Sequence, residues 1–145
     1  MERLLHDQEK PYIVYADDDP DDLEMVDSTL KTIDPLLVTQ VYTNGQDAFE
    51  FLESIPAGNR LPGLVILDLN MPGWNGLKTM EAIKKNSAYQ HIPVIIFTNS
   101  DYPPHRESAL AGGAADFITK PYNLTDLKEM CVVFANYGNR APQLK

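Results

Sequence analysis

The sequence predicts an α/β protein, a doubly wound five-stranded parallel sheet flanked by five helices. Four apolar runs each stop at a polar or charged residue: Tyr12–Ala16 before Asp17 and Asp18, Leu64–Leu67 before Asp68, Val94–Phe97 before Thr98, and Phe117–Thr119 before Lys120. Such continuous apolar runs mark strands covered on both faces, the habit of parallel sheets. Helical patterns alternate with them, giving β-α repeated five times. In an open parallel sheet the carboxyl ends of the strands share one edge, where ligands bind. Three carboxylates, a hydroxyl and an ammonium, far apart in sequence, are therefore expected to converge.

Each element has a local signature. After the first strand, Asp19-Pro20-Asp21-Asp22 opens a helix with a capping acid, proline at the first position, and acids where the dipole favours them. Its inward stripe is Leu23, Val26, Leu30 and Ile33. Residues 36–42 form the second strand, whose Thr39 and Gln40 suit an edge. Asn44 caps a second helix with stripe Ala48, Phe49, Leu52 and Ile55, stopped by Pro56. Pro62-Gly63 turns into the third strand. The loop from Leu69 to Gly76 precedes a helix bearing Leu77, Met80 and Ile83. After the fourth strand, Tyr102-Pro103-Pro104 delays a short helix that ends at Gly112-Gly113. Beyond the last strand, Asn123 caps a helix with stripe Leu124, Leu127, Met130, Cys131 and Phe134.

Composition narrows the function. The 145 residues suit one domain with a real core, and 43% hydrophobic content argues against disorder. Residues 1–10 read as a polar extension, 11–137 as the domain and 138–145 as a loose tail. No apolar run approaches the ~20 residues of a membrane helix, and the polar start does not read as a signal peptide. The single cysteine excludes an intramolecular disulfide, so a cytoplasmic location is expected. The net charge of −9 disfavours nucleic-acid binding. His6, His91 and His105 show no metal-ligand spacing, Cys131 falls on a core stripe, and no glycine-rich nucleotide loop marks a kinase.

Plain explanations cover some polar residues. Asp19, Asp21 and Asp22 suit helix-start chemistry. Asp68 alone could be a solvated strand-end acid, Thr98 a strand terminus and Lys120 a loop lysine. Capping does not cover Asp17 and Asp18, neighbouring acids that resist ionisation unless a cation joins them. Together the residues fit one chemistry. Mg²⁺ takes hard oxygen ligands and keeps several waters. Asp18 and Asp68 can bind it directly, Asp17 through water, and the backbone carbonyl of Asn70 can add an oxygen. A carboxylate such as Asp68 can attack a phosphoryl group. Lys120 would neutralise charge on the phosphoryl oxygens, and Thr98 would donate a hydroxyl hydrogen bond to them.

The stretches Val14–Pro20, Leu67–Gly73, Ile96–Thr98 and Gly113–Pro121 resemble the receiver (CheY-like) domain of two-component response regulators, over about Pro11 to Tyr137. The resemblance implies strand order 2-1-3-4-5, Asp68 as phosphoacceptor, Asp17 and Asp18 in the metal site, and Thr98 with Phe117 as a switch pair. It also implies a cis bond between Lys120 and Pro121. Phosphorylation would draw Thr98 inward, and Phe117 would turn in from a more exposed position. Output would pass through the face of the fourth helix, last strand and last helix. Expected partners are a sensor histidine kinase or histidine phosphotransfer protein, a downstream protein at that face, and a second copy in a homodimer.

Departures from the family pattern are Asn99 where a small residue is usual, Asn75 where aspartate is frequent, and the stiff Tyr102-Pro103-Pro104 loop. Trp74 reads equally as a partner contact or a surface loop aromatic. The expected role is a stand-alone, non-enzymatic phosphoacceptor in phosphorelay signalling. The alternative is a magnesium-dependent aspartate-nucleophile phosphatase. It is disfavoured because Asn70 stands where that class places a second, acid/base aspartate.

Overall fold

Tyr12–Ala16 forms β1 with all five residues buried, as an unbroken apolar run between two neighbouring strands must be. The structure, a computed structural model, describes residues 10–145. Of the extension assigned to residues 1–10, residues 1–9 lie outside the described residues. The remaining elements are α1 (Pro20–Ile33), β2 (Val38–Tyr42), α2 (Gly45–Ser54), β3 (Val65–Leu67), α3 (Gly76–Lys85), β4 (Val94–Thr98), α4 (Pro103–Ala111), β5 (Asp116–Thr119) and α5 (Leu124–Gly138). All strand pairs are parallel, in the order β2-β1-β3-β4-β5. The fold class and strand order expected from the sequence are those observed.

Alternation along each strand splits the core into two layers. Val14, Val65, Val94 and Ile96 pack with Leu52 of α2, Met80 and Ile83 of α3 and Ala109 of α4. Ile13, Tyr15, Ile66, Ile95 and Phe97 pack with Val26 and Leu30 of α1 and Leu127, Cys131 and Phe134 of α5. Asp19 caps α1 by accepting from the Asp21 N–H, and Asn44 and Asn123 cap α2 and α5 likewise. Asn75, where the resembled family pattern often has aspartate, caps α3 by accepting from the Lys78 N–H at 2.8 Å.

Three expectations are corrected. The second strand starts at Val38 rather than residue 36, and Leu36 is exposed. Leu124, the first residue of α5, also lies exposed, because an open cavity separates it from Met25 and Val26 of α1. The tail is not loose. Leu144 bridges Arg60, the Leu61 N–H donates to the Gln143 carbonyl at 2.8 Å, and Gly58 and Asn59 pair with Lys145 at 2.9 Å. The Lys145 ammonium also donates to the carbonyls of Leu52 and Glu53, each at 3.0 Å. The loop after α2 has backbone groups without a strand to pair with, and the tail satisfies them.

Candidate functional site

Sheet register brings the site together. Ala16 pairs with Leu67, so Asp17 and Asp68 leave the sheet side by side, and the Asp68 N–H donates to the Ala16 carbonyl at 3.0 Å. Thr98 pairs with Thr119, and the Lys120 N–H donates to the Thr98 carbonyl at 2.7 Å. The Lys120–Pro121 bond is trans, as are all described peptide bonds, so the expected cis bond is absent. The lysine reaches the acids nonetheless, because its own backbone is anchored to the end of β4. At Gly76, a Cβ would overlap the Asp68 carbonyl oxygen, so only glycine lets α3 start this close behind Asp68.

Asp17, Asp18 and Asp68 offer carboxylate oxygens that all lie within 4.8 Å of one another. Asp17 and Asp68 are buried and Asp18 faces solvent. Between the acids sits the Lys120 ammonium, 2.7 Å from Asp17 Oδ2, 2.7 Å from Asp22 Oδ2 and 3.1 Å from Asp68 Oδ2. Asp17 Oδ2 also accepts from the Tyr15 hydroxyl at 2.7 Å, while Oδ1 accepts from the Asp19 N–H at 2.9 Å. Asp68 Oδ1 accepts a long bond from the Asn70 N–H at 3.4 Å.

Electrostatics follow from crowding in a dry corner. Burial pushes Asp17 above the ordinary carboxylate value, against the hydrogen bonds from Lys120, the Asp19 N–H and Tyr15. Burial acts to lower Lys120, but its bonds to Asp17 and Asp22, with the charges of Asp17 and Asp68, outweigh it and hold the ammonium above its usual value. Burial, then the Asp17 charge, keeps the Tyr15 phenol protonated, so it serves only as a donor to Asp17. Three carboxylates, which offer hard oxygen donors, with Asp18 open to water, suit a hydrated divalent cation.

The other sequence candidates arrange around this centre. Thr98 is fully buried, and its Oγ1 accepts a long bond of 3.4 Å from the Ser100 N–H. Asn70 lies at the exposed edge. Phe117 is only 4% exposed, which corrects the expectation of a more exposed ring. It pairs with Ile96 on β4 and lies in the layer that holds Met80 and Ala109, where burial of an aromatic side chain is worth about 1.5–3 kcal/mol. Asn99 points to solvent. Trp74 packs on Phe49, ring centroids 5.7 Å apart, so it is partly accounted for by structure.

Sequence reasoning missed Tyr15 and Asp22. Tyr15 is hidden in an apolar run, and Asp22 carries the signature of a helix-start acid. A cavity of about 540 Å³ opens beside Lys120, walled in part by Asp22, Met25, Phe97, Tyr122 and Leu127.

A family model described as the response regulator receiver domain matches residues 13–132. The two-component response regulator ARR5 of Arabidopsis thaliana is 37% identical over 67 residues, 46% of this chain and 36% of that protein. ARR15 of the same plant is 30% identical over 126 residues, 82% of this chain and 60% of that protein. The chain thus spans less than two thirds of either relative. Among solved structures, the Mn(2+)-bound form of response regulator Rcp1 superposes with a TM-score of 0.77 at 26% identity, covering 93% of this chain and 99% of that one. No described helix is long and apolar enough to cross a membrane.

Proposed function

Because this chain belongs to the response regulator receiver family of phosphorelay signalling, we propose that Asp68 is the residue that takes the phosphoryl group. The observation that carries this is the position of its carboxylate, held at a strand end among Asp17, Asp18 and the Lys120 ammonium.

An Asp68 oxygen donates its electron pair to phosphorus. The P–N bond of a phosphohistidine on a sensor kinase or phosphotransfer protein breaks, and its pair returns to the imidazole nitrogen. Asp17, Asp18, Asp68 and the Asn70 backbone carbonyl would hold Mg²⁺, which when bound would supply positive charge to offset the phosphoryl oxygens. Lys120 adds a second positive charge from the protein itself, and its bonds to Asp17 and Asp68 keep it beside the reacting oxygen. Tyr15 and the Asp19 N–H fix the Asp17 carboxylate so that it does not swing.

Thr98 donates its hydroxyl to the new phosphoryl group and releases the weak bond from Ser100. The Ser100 carbonyl accepts from the Thr119 hydroxyl at 3.3 Å, so the movement reaches β5. Phe117 already lies inward, and phosphorylation therefore favours an arrangement the protein already holds. The α4-β5-α5 face then binds a downstream protein or a second copy of the chain, in the cytoplasm. In the test, protein incubated with phosphoramidate and MgCl₂ is digested and mapped by mass spectrometry. Label on Asp68 that EDTA prevents is expected, and label elsewhere would overturn the assignment.

A further inference from the structure

An ammonium has three N–H donors, and those of Lys120 face three different carboxylates: Asp17, Asp22 and Asp68. Asp17 and Asp68 belong to the three-acid cluster, but Asp22 does not. It stands in the first turn of α1 with its side chain 29% exposed, and it borders the cavity beside Lys120. Helix-start chemistry explains an acid at this position. It does not explain why that acid reaches a lysine 98 residues away. Asp21 occupies the same turn, is exposed and makes no ion pair among the described residues, so it shows what a purely local acid looks like here.

A phosphoryl group on Asp68 needs an N–H from Lys120. The Asp68 bond, at 3.1 Å, is the longest of the three, while Asp22 holds the ammonium at 2.7 Å from the solvent side. We propose that Asp22 is a positioning residue that restrains Lys120, so that phosphorylation of Asp68 has to draw the ammonium away from Asp22. This rests on Asp68 being the phosphoacceptor. Asp22 thereby slows phosphoryl entry.

The test uses the whole chain with phosphoramidate and MgCl₂. An Asp68 oxygen bonds phosphorus, the P–N bond breaks, and nitrogen leaves with the electron pair as ammonia. Asp22→Asn should label Asp68 about fivefold faster, the size of one partly exposed ion pair. Asp22→Glu, which keeps an acid in reach, should stay near the unmodified rate. So should Asp21→Asn, which makes the same charge change without the contact. The ¹H–¹⁵N signal of the Lys120 ammonium should shift in Asp22→Asn and not in Asp21→Asn. An unchanged or slower rate in Asp22→Asn overturns the inference, as does an unmoved Lys120 signal or equal acceleration by Asp21→Asn. If the unmodified protein carries no label on Asp68, the phosphoacceptor assignment fails and this inference with it.

Discussion

Lys120 and Lys145 stand at different parts of the molecule, and the contrast between their surroundings separates a part crowded with charge from a part whose groups are paired. Lys120 is buried among three carboxylates, two of them buried themselves, where burial and then the Asp68 charge raise the cost of ionising Asp17. Lys145 donates to two carbonyls at the C-terminal end of α2, where a cation meets the negative end of the helix dipole, and it lies 5.2 Å from the Tyr89 ring centroid. At the first site three carboxylates share one ammonium, so the local charge is left unbalanced. At the second, every group named has its partner within the chain.

The largest expected effect comes from removing the two cations in turn. Lys120→Met leaves Asp17 buried without its ion-pair partner and should cost about 3 kcal/mol. Lys145→Met should cost about 1 kcal/mol, the upper part of a helix-terminus charge effect. Urea unfolding of the metal-free proteins measures both, and equal losses would break the contrast.

Magnesium sharpens it next. At a hundredfold excess over its dissociation constant, the ion should stabilise the unmodified protein by about 2.7 kcal/mol. Asp18→Ala should lose that gain, whereas Lys145→Met should retain it. Thermal unfolding with and without MgCl₂ reads the difference. Gly76→Ala follows, at about 2 kcal/mol, because the added methyl has to displace the Asp68 backbone. It should also weaken magnesium binding, which a loss confined to general stability would not do. The smallest effect concerns Cys131, buried with its thiol pushed up to about 12 by burial. It should react with a thiol reagent at pH 8 only as fast as the fold opens.

Much of the acidic site was legible in the sequence. Asp17, Asp68, Thr98 and Lys120 end apolar runs, and a parallel sheet places such ends on one edge whatever their separation in the chain. Asp22 was not legible as a site residue, because an acid in the first turn of a helix looks the same whether or not a lysine waits across the sheet edge. Tyr15 was hidden because its ring belongs to the core while its hydroxyl belongs to the site. The fixed part was the least readable. The tail pairs through backbone groups, which every residue carries, so residues 141–145 show no pattern that distinguishes a docked segment from a free one. The inward Phe117 also eluded sequence reasoning, since either ring position is compatible with an apolar strand residue.

NMR shifts of the magnesium-loaded protein, with and without a beryllofluoride phosphoryl mimic, test the contrast most directly. Resonances of Asp68, Thr98 and Lys120 should move most, followed by Ser100, Phe117 and Arg106, whose guanidinium donates to the Phe117 carbonyl at 2.8 Å. Residues of α5 should follow, while Gly58, Leu61, Leu144 and Lys145 stay still. Shifts confined to the neighbours of Asp68, with Phe117 and α5 silent, or shifts of equal size in the tail, would contradict the account.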